Sequence, residues 1–97
     1  MTPQEQAEES AKALEDAKAV DVKVYDVRGK SSLADFFVVA TGAAAPHLKA
    51  LVRELPKAYR VSGEPDSGWI VADYVDVVVH VFSPEARAYY ALEKLWA

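Results

Sequence analysis

The sequence predicts an α+β (α/β) domain in which helices flank a mixed sheet of four to five strands. Segments rich in β-branched and aromatic residues alternate with helical patterns in the order α-β-β-α-(β)-β-β-α. A helix lies between the second and the fourth strand, which allows a crossover connection and a partly parallel sheet. A chain of 97 residues has room for one domain, expected over residues 1–97.

The first half of the chain predicts two helices and two strands. Thr2, Pro3 and Glu5 form the pattern of a capping box with proline at the first helical position, so a helix begins there. Residues 22–27 alternate like a strand, and residues 35–41 are apolar on both faces, which is typical of an internal strand. A second amphipathic helix follows from apolar residues spaced i, i+3, i+4 and i+7, namely Leu48, Leu51, Val52 and Leu55.

The second half predicts a hairpin and a third helix. A short edge strand over residues 59–61 stays open, and residues 62–68 are predicted to be a loop. Residues 69–73 and 76–82 are separated by two residues, which favours an antiparallel hairpin. Ser83 is the predicted cap of the last helix. The apolar stripe of that helix, and hence its core contacts, would be Ala88, Tyr89, Leu92, Leu95 and Trp96.

Composition excludes several classes of function. The chain has 15 acidic and 11 basic residues and a net charge of -4, so it lacks the basic surface that nucleic-acid binding requires. It has no cysteine, which excludes disulfides, thiol catalysis and cysteine-ligated zinc. The N-terminal segment is acidic and no apolar run approaches about 20 residues, so we expect a cytoplasmic protein without a membrane partner.

Three stretches together resemble one protein family. They are residues 26–42 (DVRGKSSLADFFVVATG), 68–82 (GWIVADYVDVVVHVF) and 90–96 (YALEKLW). In content, order and spacing they resemble the ribosomal silencing factor family, also called RsfS or Iojap-like, from about Ala13 to Trp96. The resemblance implies a nucleotidyltransferase-like fold without transferase activity. It also implies a factor that binds the large ribosomal subunit through ribosomal protein fourteen, blocks joining of the small subunit and represses translation under nutrient limitation.

The residues that could carry chemistry are few. Nucleotidyl transfer needs two carboxylates close together on one strand to hold Mg²⁺, but Phe37 stands two positions after Asp35. We therefore predict no catalytic residue, no cofactor and no metal site. Asp73 and Asp76 are interpreted as turn residues that accept backbone N–H groups, with a metal pair as the alternative. His80, inside an apolar strand, is interpreted as structural.

Aromatic residues near the C-terminus are the predicted partner-binding site. Trp69 begins a strand after a glycine and Tyr74 lies in a turn, where large aromatic side chains can anchor an interface. The resemblance strengthens this, because Trp69, Tyr74 and Tyr90 match positions at which the family contacts its ribosomal partner. Lys94 would add a charge at the rim.

Two other functions remain open from the sequence. One is a nucleotide-binding remnant of the transferase fold, centred on Asp35 and Asp76. The other is a self-associating structural module, in which a sheet edge or an apolar helix face pairs as a homodimer of the free chain.

Overall fold

The computed structural model describes residues 1–96, which form a five-stranded sheet with helices on both faces. The elements in chain order are α1 (Pro3–Asp16), β1 (Val20–Asp26), β2 (Phe36–Thr41), α2 (Ala45–Glu54), β3 (Arg60–Glu64), β4 (Trp69–Asp73), β5 (Val77–Phe82) and α3 (Pro84–Tyr90). Two short 3-10 helices, Pro65–Ser67 and Leu92–Leu95, complete them. The α+β class and the mixed sheet predicted from the sequence are confirmed.

The strand order is β1-β2-β5-β4-β3. β2 and β5 pair in parallel, from Phe36 opposite Val77 to Thr41 opposite Phe82, and the other neighbours are antiparallel. The chain makes the parallel pair by passing through α2, β3 and β4 before it returns as β5. All six residues of β2 are buried, as its apolar sequence predicts for an internal strand.

α1 and α2 cover one face of the sheet. The capping box at the start of α1 is present: the backbone N–H of Glu5 donates to Thr2 Oγ1 at 3.1 Å, and the N–H of Thr2 donates to Glu5 Oε1 at 2.9 Å. The buried residues beneath the two helices are aliphatic apart from Phe36 and Tyr74, and include Leu14, Leu48, Leu51, Val38, Val77, Val79 and Val81. We call this side of the sheet the helix-covered face.

α3 and the 3-10 helix Leu92–Leu95 cover only part of the opposite face. Its buried residues form two small clusters, one around Phe37 and one around Phe82. β5 places Val77, Val79 and Val81 on the helix-covered face and its alternate residues on the opposite face, as the period-2 pattern predicts.

Three details correct the predictions. Residues 62–64, predicted to be loop, belong to the edge strand β3. All five residues of β3 are exposed, so no alternation of buried and exposed positions marks the strand in the sequence. The third helix ends at Tyr90, because Ala91 adopts a left-handed conformation with φ of 49°. Tyr89, predicted to lie in the core, is 82% exposed.

Candidate interaction site: the aromatic groove

A groove of about 580 Å³ lies on the sheet face opposite α1 and α2. β2, β4 and β5 form its floor, and the loop after β1 and the C-terminal segment form its rim. Its floor residues are Phe37, Trp69, Val78 and His80, and its rim residues are Leu33, Leu92, Leu95 and Trp96. We call this surface the aromatic groove.

Strand register explains why these side chains meet. Phe37 on β2 lies opposite Val78 on β5, and Trp69 on β4 lies opposite Phe82 on β5. Side chains at directly paired positions project from the same face of a sheet. The alternate residues of three neighbouring strands therefore form one apolar floor.

The rings of the groove pack on one another. The Trp96 indole stacks on Phe37 with centroids 4.2 Å apart, and Trp69 stacks on Phe82 at 5.2 Å. Tyr90, which belongs to α3, packs on Trp69 with ring centroids 4.6 Å apart. Offset and tilted aromatic pairs at these distances add stability beyond simple burial.

His80 is the one titratable side chain buried in the floor among residues 1–96. Its Nδ1 accepts a hydrogen bond of 3.2 Å from the Trp69 indole N–H. Burial lowers the pKa of His80 to about 4, because removal from water disfavours the charged imidazolium. The ring is therefore neutral at physiological pH.

A polar clasp holds the C-terminal segment over the sheet. Arg87 donates to the Glu93 carboxylate from Nε at 2.7 Å and from Nη2 at 3.0 Å, and to Thr41 Oγ1 at 2.8 Å. The Tyr25 hydroxyl also donates to Glu93. The hydrogen bonds from Arg87 lower the pKa of Glu93, whereas burial, followed by the bond to Glu93, raises the pKa of Tyr25 to about 12.

Large apolar side chains at the rim face solvent. Leu33 is 80% exposed and Leu95 is 74% exposed, and both line the groove together with the exposed Tyr59 and Val75. Single exposed apolar residues are common, but several around one apolar groove are typical of a protein-binding surface.

The structure separates the four residues predicted to bind a partner. Trp69 lines the groove, and Tyr90, partly exposed, packs against it. Tyr74 is only 9% exposed and lies on the helix-covered face, where its hydroxyl donates to the carbonyl of Pro56 and burial raises its pKa to about 12. Lys94 is exposed but lines a second cavity, beside Arg87, rather than the groove. The prediction that Tyr74 is an exposed anchor is therefore wrong, because its turn directs the ring inward.

Two side chains of the kinds that ligate metals, Asp73 and His47, have structural partners. Asp73 accepts the backbone N–H of Val75 at 2.7 Å, as predicted for a turn. His47 lies within 3.0 Å of the N–H of Ala43 and of the carbonyl of Ala17, so both its ring nitrogens are used. Within residues 1–96, no three side chains of histidine, aspartate or glutamate are grouped so that they could hold a metal ion.

The described helices are all too short or too polar to cross a lipid bilayer.

Sequence reasoning missed most of the groove. The sequence predicts Phe37 within an internal strand, Trp96 on the apolar stripe of the last helix and His80 as a structural residue, but it predicts no shared surface for them. The signal was available in the alternation of β5, which places Val78, His80 and Phe82 on the face that two long helices do not cover. Only the position of α1 and α2 shows which of the two faces is left open.

Comparison with known proteins decides the family. Residues 1–97 match the family model described as "Ribosomal silencing factor during starvation", RsfS. The chain belongs to the RsfS family. An RsfS protein of Halalkalibacterium halodurans is 38% identical over 99% of this chain and 89% of the relative. The RsfS protein of Bacillus subtilis is 35% identical over 90% of this chain and 80% of the relative. These RsfS relatives are named as silencing factors and not as enzymes.

More distant relatives and solved structures agree. A mouse protein named "Mitochondrial assembly of ribosomal large subunit protein 1" is 32% identical over 86% of this chain and 41% of its own length. A crystal structure from Chromobacterium violaceum superposes with a TM-score of 0.88 at 35% identity, covering 99% of this chain and 87% of that one. A second crystal structure, from Bacillus halodurans, superposes with a TM-score of 0.82 at 36% identity, covering 96% of this chain and 94% of that one. The predicted RsfS or Iojap-like resemblance and the fold are confirmed.

Proposed function

We propose that this chain is a ribosomal silencing factor that binds the large ribosomal subunit through ribosomal protein fourteen and so prevents the small subunit from joining. Translation would thereby be repressed under nutrient limitation. The observation that carries the proposal is the aromatic groove with its exposed leucines, in a chain of the RsfS family. The chain acts here as one RsfS domain over residues 1–97.

The shape of the domain suits steric exclusion. Its principal dimensions are 33 × 26 × 21 Å, so a copy seated on the subunit interface keeps two flat surfaces well apart. Exclusion needs no catalytic group, and the proposed activity is accordingly non-enzymatic and independent of a cofactor. A groove with apolar floor and rim provides a compact anchor of the kind that dominates protein interfaces.

The charge of the chain favours a protein as the point of attachment. A net charge of -4 opposes binding to ribosomal RNA but steers the chain toward a basic ribosomal protein. We assign direct contact to Trp69 and Tyr90, and to Lys94 a peripheral charge outside the groove. Tyr74 would act indirectly, by holding from inside the turn that presents Val75. The setting proposed is the cytoplasm, where ribosomal subunits assemble into ribosomes.

Cosedimentation with separated ribosomal subunits tests the proposal. We expect the chain in the large-subunit fraction alone, together with a decrease in joined ribosomes. Leu33→Asp should abolish this binding without a change in thermal stability, because Leu33 is exposed and lines the groove. Val20→Asp, an exposed apolar residue outside the groove, is the matched control. Equal sedimentation with both subunits, or with neither, would reject the proposal.

Trp69→Ala tests the predicted central anchor. Loss of the indole should weaken binding to the large subunit by about 2 kcal/mol or more, as for a central aromatic hot spot. Tyr89→Ala removes an exposed aromatic ring that does not line the groove, and should leave binding unchanged. If the two variants bind alike, Trp69 is not part of the contact surface.

The exposed leucines also favour a second candidate, a homodimer that covers the aromatic groove when no ribosome is bound. Two copies could bury Leu33 and Leu95 against each other, since solvent exposure of such side chains is unfavourable. Light scattering at micromolar concentration decides this candidate. A dimer that Leu33→Asp converts to a monomer supports it, and a strict monomer rejects it.

A further inference from the structure

The floor of the aromatic groove contains a buried nitrogen atom without a hydrogen-bond partner among residues 1–96. His80 is 7% exposed and lines the groove, and its Nε2 has no hydrogen-bond partner among residues 1–96. Buried polar atoms are nearly always paired in folded proteins, so an unpaired one inside a binding groove points to a missing ligand.

The bond from Trp69 fixes what this nitrogen can do. An indole N–H can only donate, so Nδ1 of His80 must accept and cannot carry the proton. In the neutral imidazole the proton therefore lies on Nε2. The groove thus contains a hydrogen-bond donor that is oriented by Trp69 and awaits an acceptor.

Aromatic rings surround this donor in the free chain. The rings of Phe37, Phe82 and Trp96 lie with centroids 5.5, 6.1 and 5.8 Å from that of His80. Phe37 and Phe82 belong to strands and are buried, whereas Trp96 follows the 3-10 helix Leu92–Leu95 and is only half-buried. Trp96 is therefore the ring that can move without breaking a strand pair.

The side chain of Trp96 is held by ring contacts alone. Its backbone N–H donates to the carbonyl of Glu93 at 3.1 Å and its carbonyl accepts a bond of 3.2 Å from the exposed Lys30 ammonium, whereas its ring packs on Phe37 and Tyr25. The clasp between Arg87 and Glu93 fixes the segment three residues earlier. The indole can thus leave Phe37 while the clasp stays closed.

We propose that His80 and Trp96 form a closed polar subsite of the groove, which opens when Trp96 leaves Phe37 and then takes an amide carbonyl of the docked protein on His80 Nε2. A neutral carbonyl fits better than a carboxylate, because the groove lining is mostly apolar and also contains the acidic Asp73, in a chain of net charge -4. The subsite rests on the proposed function and adds to it the feature that selects the partner: one apolar side chain for the floor and one carbonyl beside it.

The test compares three variants for binding to purified large subunits. His80→Phe keeps a flat ring but removes the donor, and should weaken binding about tenfold, the value of one hydrogen bond. Trp69→Phe removes the indole–imidazole bond but keeps the imidazole, whose proton is then no longer fixed on Nε2, and should weaken binding less than His80→Phe does. Trp96→Ala removes the cover and should strengthen binding roughly threefold, because the subsite no longer has to open. Thermal unfolding checks that each variant is folded.

Nitrogen-15 NMR of the His80 ring gives a second measurement, in which the chemical shifts of a purely structural histidine would not change on binding. The free chain should show the tautomer protonated on Nε2, and binding should shift that nitrogen as the new bond forms. Binding of His80→Phe within twofold of wild type, or weaker binding of Trp96→Ala, would overturn the subsite while the proposed function stands. If the wild-type chain fails to sediment with large subunits, the proposed function and the subsite both fall.

Discussion

The two faces of the sheet are built from the same strands but differ in what covers them. The helix-covered face is filled by valine, leucine and alanine beneath α1 and α2. The opposite face carries Phe37, Trp69 and His80 beneath a short helix and a 3-10 turn. Aliphatic side chains beneath long helices suit a permanent core, whereas rigid aromatic rings left half-covered suit an interface. The difference indicates that one face maintains the fold and the other is available for binding.

The largest expected effect lies on the helix-covered face. Leu48→Ala should lower the free energy of unfolding by about 2–5 kcal/mol, because Leu48 is fully buried between α2 and the sheet and its loss leaves a cavity. Leu95→Ala, which removes the same atoms from the exposed rim of the groove, should change it by less than about 0.5 kcal/mol. Urea denaturation measures both. Equal losses would contradict the division between the two faces.

The clasp between Arg87 and Glu93 is a partly buried ion pair on the face opposite α1 and α2. Arg87→Met should destabilise the fold by about 3 kcal/mol, because it leaves the Glu93 carboxylate partly buried without its main partner. Arg28→Met removes an exposed ion pair with Asp26 and should cost under about 1 kcal/mol. The same urea denaturation applies. A small effect of Arg87→Met would show that the C-terminal segment is held by its aromatic contacts instead.

Acid should act on the open face through His80. The pKa of His80 is lowered to about 4 by burial, against about 6.5 in an unfolded chain, so the unfolded chain binds its proton first as pH falls. Stability from the neutral ring is complete above pH 6.5 and is lost down to about pH 4, a change of up to about 3 kcal/mol.

Thermal unfolding from pH 7 to pH 4 measures this loss. His80→Phe removes the titrating group, so its stability should depend less on pH over the same range than that of the wild type. Parallel curves for the two proteins would assign the acid sensitivity to other groups.

The smallest effect separates stability from binding at the rim. Val75 adopts φ of 77°, a left-handed conformation that is strained for a β-branched residue. Val75→Asn should raise the free energy of unfolding by about 1 kcal/mol, because asparagine tolerates this conformation. It should also weaken large-subunit binding, since an apolar rim side chain is lost. A variant that is more stable and binds normally would remove Val75 from the interface.

Local sequence patterns specify several features of this chain. The cap at Thr2 and Glu5 starts α1, and the unbroken apolar run of β2 requires an internal strand. The alternation of β5 sets its two faces. Each of these follows from contacts between residues close in the chain or from the period of one element.

Which aromatic residues meet at the groove depends on long-range contacts. Ala91 ends α3 without a glycine, and the clasp between Arg87 and Glu93 favours that break because it folds the C-terminal segment back onto the sheet. The break takes the chain off the helical path, so Trp96 lies on Phe37 rather than continuing a stripe with the exposed Tyr89. The turn after β4 directs Tyr74 inward, where its hydroxyl donates to the carbonyl of Pro56, another residue distant in the chain. Contacts between residues far apart in the chain override helical periodicity, and no local pattern encodes them.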